Sequence, residues 1–155
     1  MTEMTKEQFV ELLRPLAVAL RGFDCDQRDA ATAAERLLPF RGAAVTAVRK
    51  AAEAAIGSTW LLPKENAGIR FGRVAKDLEG FSVDAVLMDK PGPKHRHPNG
   101  EIDFCFAQAG TPKFDGRPEG YVIYGKDTTH VPTVQGGTML ILYFLPGGAI
   151  EFLAS

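Results

Sequence analysis

Neither sign of charge dominates this 155-residue chain, whose 18 basic and 19 acidic residues leave a formal charge of −1. The charges are interspersed, so there is no basic stripe to attract nucleic acid or an anionic membrane surface, and neither is expected as a partner. No apolar run approaches the roughly 20 residues that cross a bilayer. The opening Met1-Thr2-Glu3-Met4-Thr5-Lys6 lacks the basic-then-apolar build of a signal peptide, which predicts a cytoplasmic location. Cysteine is scarce: Cys25 and Cys105 lie far apart, so a disulfide framework is not indicated and both are expected as reduced thiols. No GxGxxG or phosphate loop accompanies the glycines, and the strand-helix alternation of a parallel nucleotide-binding sheet is missing. What remains is a chain that is 45% hydrophobic and within the size range of one compact domain, enough for a real core.

Its two parts differ in texture. From Thr5 to about Ile56 strong helix formers repeat at helical spacing. Phe9, Leu12, Leu13, Leu16, Ala17 and Leu20 make one apolar stripe, with Thr5 as cap, Gln8 in capping-box position and Gly22 as stop. Pro15 is expected to kink or split this helix. Further helices are predicted over Ala30 to Leu38 and Gly42 to Ile56. After Ser58 short runs rich in aromatic and β-branched residues take over, separated by Gly, Pro, Asn and Asp. The predicted strands are Thr59 to Leu62, Gly68 to Val74, Phe81 to Met88, Glu101 to Ala107, Tyr121 to Tyr124, Thr138 to Leu145 and Ala149 to Leu153. Gly136-Gly137 and Gly147-Gly148 read as tight connections. The expectation is a helical region, residues 1–57, packed on a sandwich or barrel formed by residues 58–155.

The three histidines of the chain all fall between residues 95 and 130. In Lys94-His95-Arg96-His97-Pro98-Asn99-Gly100-Glu101 an HxH pair stands four residues before a glutamate. Residues i and i+2 of a strand share a face, so both imidazoles can reach one ion. Pro98-Asn99-Gly100 bends the chain, and Glu101 returns its carboxylate toward the same point. Imidazole and carboxylate donors suit a divalent Zn, Mn, Fe, Ni or Co, with positions left for water or substrate. Two other readings stand beside this one: unrelated histidines, or a metal-free site using them as acid and base.

His95, His97, Glu101 and then Gly110 resemble the first motif of the cupins, and Gly120 followed by His130 resembles the second. The Glu101 to Gly110 spacing is longer than usual, and the second motif lacks its proline, its glycine before the histidine and its asparagine, where Val134 stands. The resemblance implies a mainly β fold of the cupin type, a double-stranded β-helix or jelly-roll barrel behind the α-helical N-terminal region. It also implies a metal held by His95, His97, Glu101 and His130.

HRHPNGEIDFCFA, PEGYVIYG, HVPTV and GGTMLILYFLPGGAIEF, with WLLPKENAGIRFGRV upstream, are more narrowly similar to the 4-hydroxylaminobenzoate lyases of nitroaromatic degradation. The likeness covers nearly the full chain and is densest in the final sixty residues. It implies a lyase converting 4-hydroxylaminobenzoate to 3,4-dihydroxybenzoate and ammonia, and, with the prevalence of two-fold assemblies, a homodimer. A bound metal would polarise the hydroxylamine oxygen and acidify a water. Glu101 or an unligated histidine would move protons, and Asp103, two residues along the same face, is the further candidate for supporting the ligands or transferring a proton, against a plain solvated or paired carboxylate. Cys105 reads as a packed thiol. For the carboxylate of a small aromatic acid, Arg70 and Arg73 on an early strand and Arg96 between the histidines are the available cations; alternation points Arg96 away from the metal, so Arg70 is preferred over it. Tyr121 and Tyr124 are candidates for the mouth, while Phe104, Phe106, Phe144 and Trp60 are expected to pack the barrel against the helices. Competing functions are a cupin dioxygenase or isomerase on another small acid, which shares the ligand set, and a non-enzymatic module that binds a small ligand.

Overall fold

The computed structural model describes residues 3–154. Helix α1 runs Lys6–Leu20, with the Thr5 hydroxyl accepting from the Gln8 amide at 3.1 Å and the Gln8 side chain accepting from the Thr5 amide at 2.9 Å. That reciprocal box satisfies two amide donors that a helix start leaves unpaired. Gly22, at φ +74°, turns the chain just beyond the helix end. Of the two outcomes expected at Pro15, a kink or a split, the split does not occur: α1 is continuous through it. Pro15 sits on the exposed side, while Leu13, Leu16 and Ala17 on either side of it are buried. Helices α2 (Ala30–Leu37) and α3 (Ala43–Ala54) follow, close to their predicted spans.

Nine strands come next: β1 (Lys64–Asn66), β2 (Ile69–Leu78), β3 (Phe81–Met88), β4 (His95–His97), β5 (Glu101–Phe114), β6 (Gly120–Tyr124), β7 (Thr128–His130), β8 (Val134–Pro146) and β9 (Glu151–Phe152). They form a six-stranded sheet in the order β1-β2-β3-β8-β5-β6 and a three-stranded sheet in the order β7-β4-β9, with every pairing antiparallel. The predicted strand Thr59 to Leu62 is instead a bend that seats Leu61 and Leu62 in the core, and the first strand begins at Lys64. Gly147-Gly148 is the expected tight connection. Gly136-Gly137 lies inside β8, where it meets an irregular stretch of β5: a Cβ on Gly137 would sit 2.0 Å from the Ala109 carbonyl oxygen. Close backbone approach, rather than a turn, explains that pair.

Period-two alternation divides the large sheet into two faces. Ile102, Phe104 and Phe106 of β5, Leu140, Leu142 and Phe144 of β8, and Val83 and Ala85 of β3 join Phe9, Leu13, Leu16 and Val48 of the helices in one buried core. Trp60 packs at its edge, 5.5 Å from Phe9 between ring centres. The opposite face carries Cys105, Val122, Met139, Ile141 and Tyr143, packed in a second cluster. That face looks toward the small sheet, and a cavity lies between them.

Candidate metal and substrate site

Strand β4 pairs with β7 so that His95 stands opposite His130. The Pro98-Asn99-Gly100 turn, with Gly100 at φ +90°, brings Glu101 back at the start of β5. His95 Nε2 lies 3.2 Å from His130 Nε2 and 3.5 Å from Glu101 Oε1, and His97 Nε2 lies 3.2 Å from Glu101 Oε2. One donor atom from each of His95, His97, Glu101 and His130 falls within 4.8 Å of all the others. His95, His97 and Glu101 are buried, with His97 fully so.

The partners of the other ring nitrogens decide what these atoms can do. His95 Nδ1 faces the Pro93 carbonyl at 3.2 Å, and His130 Nδ1 faces the Asp115 carboxylate at 2.7 Å; both partners only accept. His97 Nδ1 faces the Thr128 hydroxyl at 3.0 Å, and that hydroxyl donates to the Gly125 carbonyl at 2.7 Å, so it too accepts from the ring. All three imidazoles therefore carry the proton on Nδ1 and turn bare Nε2 lone pairs toward one another and toward Glu101. His97 Nε2 and Glu101 Oε2 are buried without a hydrogen bond. Lone pairs confronted at about 3 Å in a buried site repel unless a cation lies between them. Donors surrounding one ion at ~2.1 Å stand roughly 3 Å apart, which is the spacing seen here. A buried cluster of three histidines and one glutamate is thus suited to a divalent metal ion.

Asp115 is the hub of the surrounding support. Besides His130 it accepts from the Tyr124 hydroxyl and, at 2.9 Å, from the Thr133 amide. Burial raises its pKa, but the His130, Tyr124 and Thr133 hydrogen bonds outweigh burial and hold it below the usual aspartate value. We expect Asp115→Asn to weaken metal retention about 10–100-fold, the usual cost of losing a ligand's carboxylate partner, as read by competition with a chromogenic chelator.

Glu101 and Asp103 share a face and divide the protonation states between them. Burial pushes both carboxyls up. For Glu101, a proton or positive charge on the His95 and His97 side, together with Asp103, outweighs burial and brings it down to about 2. For Asp103, burial and then the adjacent Glu101 charge drive it well above the ordinary range, which favours its protonated form. Asp103 is fully buried, and neither of its oxygens has a hydrogen-bond partner of normal geometry. Cys105, next on that face, is a packed thiol whose pKa burial and the nearby carboxylates raise strongly.

A cavity of about 530 Å³ opens onto His95 and Glu101, with walls that include Ile69, Phe71, Val86, Met88, Tyr143 and Phe152 and with Lys64, Arg73 and Asp84 at its polar edge. Two sequence candidates lie outside it, and strand alternation is the reason. Arg70 points to the helix side, where its guanidinium donates to the Ile56 carbonyl at 2.8 Å. Tyr121 packs against Phe40 and Phe104 and donates to the Leu38 carbonyl at 2.6 Å. Tyr124 does reach the cluster, stacked 5.3 Å from His97, but its hydroxyl is committed to Asp115. Arg96 points away, paired with Asp127 and Glu151, as expected. Sequence reading passed over Asp115, Thr128 and Tyr143. The Asp115-Gly116 turn and the single polar ring on the Met139, Ile141, Tyr143 face were the available signals.

A family model described as PnbB, 4-hydroxylaminobenzoate lyase, matches residues 33–152, leaving out α1. A curated 4-hydroxylaminobenzoate lyase from Nocardioides sp. (strain LMS-CY) is 30% identical over 92 residues, 54% of either chain, so the chain spans about half the length of the curated relative it matches. Among solved structures, an RmlC-like cupin protein from Ralstonia eutropha JMP134 aligns with a TM-score of 0.46 at 14% identity, covering 62% of this chain and 67% of that one. A cupin-like protein from Thermotoga maritima MSB8 aligns at 0.34 and 19%, covering 58% and 79%. The architecture itself is mainly β with a helical front.

Proposed function

The chain belongs to the 4-hydroxylaminobenzoate lyase family, and from that premise we propose that it converts 4-hydroxylaminobenzoate to 3,4-dihydroxybenzoate and ammonia with a divalent metal held by His95, His97, Glu101 and His130. The reaction balances without an external oxidant: one water enters, one ammonia leaves, and the N–O bond is spent in oxidising the ring. The observation that carries the reading is the convergence of three imidazole Nε2 atoms and a carboxylate in a buried cluster whose His95 and Glu101 line a largely apolar cavity.

When bound, the metal supplies Lewis acidity, which weakens the N–O bond and eases ionisation of a water. The rest falls to the chain. Phe71, Val86 and Met88 offer an apolar slot for the ring and exclude bulk water. Glu101, held ionised, lines the cavity and can accept a proton at its carboxylate. Asp103, behind it on the same strand face, donates its proton through Glu101 as the nitrogen leaves and regains one by the same route when Glu101 takes the proton of the water. It does not line the cavity, so its role is exercised through Glu101.

Incubation of the purified protein with 4-hydroxylaminobenzoate tests this. The expected result is 3,4-dihydroxybenzoate and ammonia in a 1:1 ratio, by chromatography and an ammonia assay. Protein saturated with each candidate metal that yields neither product removes the lyase reading.

A further inference from the structure

The cavity has a second polar end, lined by Lys64, Arg73 and Asp84. Arg73, Asp84, Tyr143 and Asp103 follow one another as register partners across four neighbouring strands, β2, β3, β8 and β5. Arg73 therefore stands three strand spacings from the row that begins beside Glu101, roughly 14 Å along the sheet. Phe71, Val86 and Tyr143 wall the interval between the two ends.

The Arg73 guanidinium is fixed: Nε donates to Asp84 Oδ1 at 2.8 Å and Nη2 to Oδ2 at 3.2 Å. This fork leaves Nη1 with no partner among the described residues. Lys64, on the edge strand opposite Phe71, lines the same end and forms no ion pair or side-chain hydrogen bond among the described residues. One pre-oriented guanidinium and one uncommitted ammonium exceed the single Asp84 charge by one positive charge. That excess suits a carboxylate. Arg70, by contrast, spends its guanidinium on the Ile56 carbonyl on the other face of the sheet.

We propose that Lys64 and Arg73, the latter clamped by Asp84, bind the carboxylate of the substrate and make the site selective for para-substituted aromatic acids over uncharged arenes. The proposal rests on the lyase reading for the identity of the ring's other substituent, and it is tested separately by binding.

Calorimetric titration of the full chain, as purified, with 4-hydroxybenzoate and with phenol measures the carboxylate's share. The wild type is expected to prefer 4-hydroxybenzoate at least tenfold. Lys64→Gln and Arg73→Gln together are expected to cost about 10–100-fold for 4-hydroxybenzoate and to leave phenol unchanged, the usual worth of charge-assisted hydrogen bonds. Arg73→Lys is expected to recover part of the loss, which a merely misfolded variant would not. Should Arg73→Gln fail to fold, Lys64→Gln alone, on an exposed edge strand, carries the test with a smaller loss of the same selectivity. A wild type that does not bind 4-hydroxybenzoate or does not discriminate it from phenol, a double variant that binds it undiminished, or a loss that follows Arg70→Gln instead would each overturn the proposal. Intact selectivity without turnover of 4-hydroxylaminobenzoate would remove the lyase reading and leave the carboxylate site standing.

Discussion

Replacing His97 with alanine is expected to abolish both metal retention and turnover while the fold survives. His97 is fully buried, its Nδ1 is fixed by Thr128, and its Nε2 lies 3.2 Å from Glu101 with nothing to bond. Loss of a ligand's outer partner costs ~10–100-fold in affinity, and loss of the ligand itself should exceed that. The fold is insulated because His97 belongs to the three-residue strand β4, while the main core lies between the large sheet and the helices. Elemental analysis, an activity assay, and far-UV circular dichroism with a thermal melt check the three parts. Full activity in metal-free His97→Ala would sink metal catalysis at this site.

Asp103→Asn is expected to make the metal-free protein more stable at neutral pH and the enzyme slower. A folded-state pKa raised above the unfolded value means that stability from this group is fully present below the unfolded value of about 4. It is lost as pH rises toward the folded pKa, because only the unfolded chain gains from ionising. Each unit of elevation withholds about 1.4 kcal/mol above that range. Asparagine does not ionise and so escapes the loss. Melting temperatures of the two metal-free proteins should therefore converge near pH 4 and separate as pH rises, with the variant higher. If Asp103 stores the proton that Glu101 exchanges, kcat should fall about 100-fold or more. A stability difference that is flat with pH would show that Asp103 is not held protonated.

The convergence of His95, His97, Glu101 and His130 was legible because these residues are close in sequence and obey simple geometry. HxH on a strand and Glu after a Pro-Asn-Gly bend fix three of the four donors, and His130 was the one remaining histidine. Strand Phe81–Met88 and the Thr5 capping box were legible for the same reason: local pattern alone decides them. The misplacements came where alternation needs a register that only tertiary structure supplies. Arg70 and Arg73 lie on one strand three residues apart, on opposite faces, and nothing local says which face meets the cavity. Tyr121 and Tyr124 pose the same problem three residues apart on β6. Asp115 was missed for another reason: the Asp115-Gly116 pair signals a turn, but no side-chain pattern links it to His130 fifteen residues away. β5 was predicted at half its length because Gly110 and Pro112 read as breakers, yet pairing with β8 carries the strand past both to Phe114.

The most direct measurement is metal content per chain by elemental analysis after chelator treatment and reloading, in wild type and His97→Ala side by side. One divalent ion per wild-type chain and none in the variant is the predicted result. Equal content in the two, or a wild type that takes up no metal and still turns over substrate, would show that the three imidazoles and the glutamate do not form a metal site.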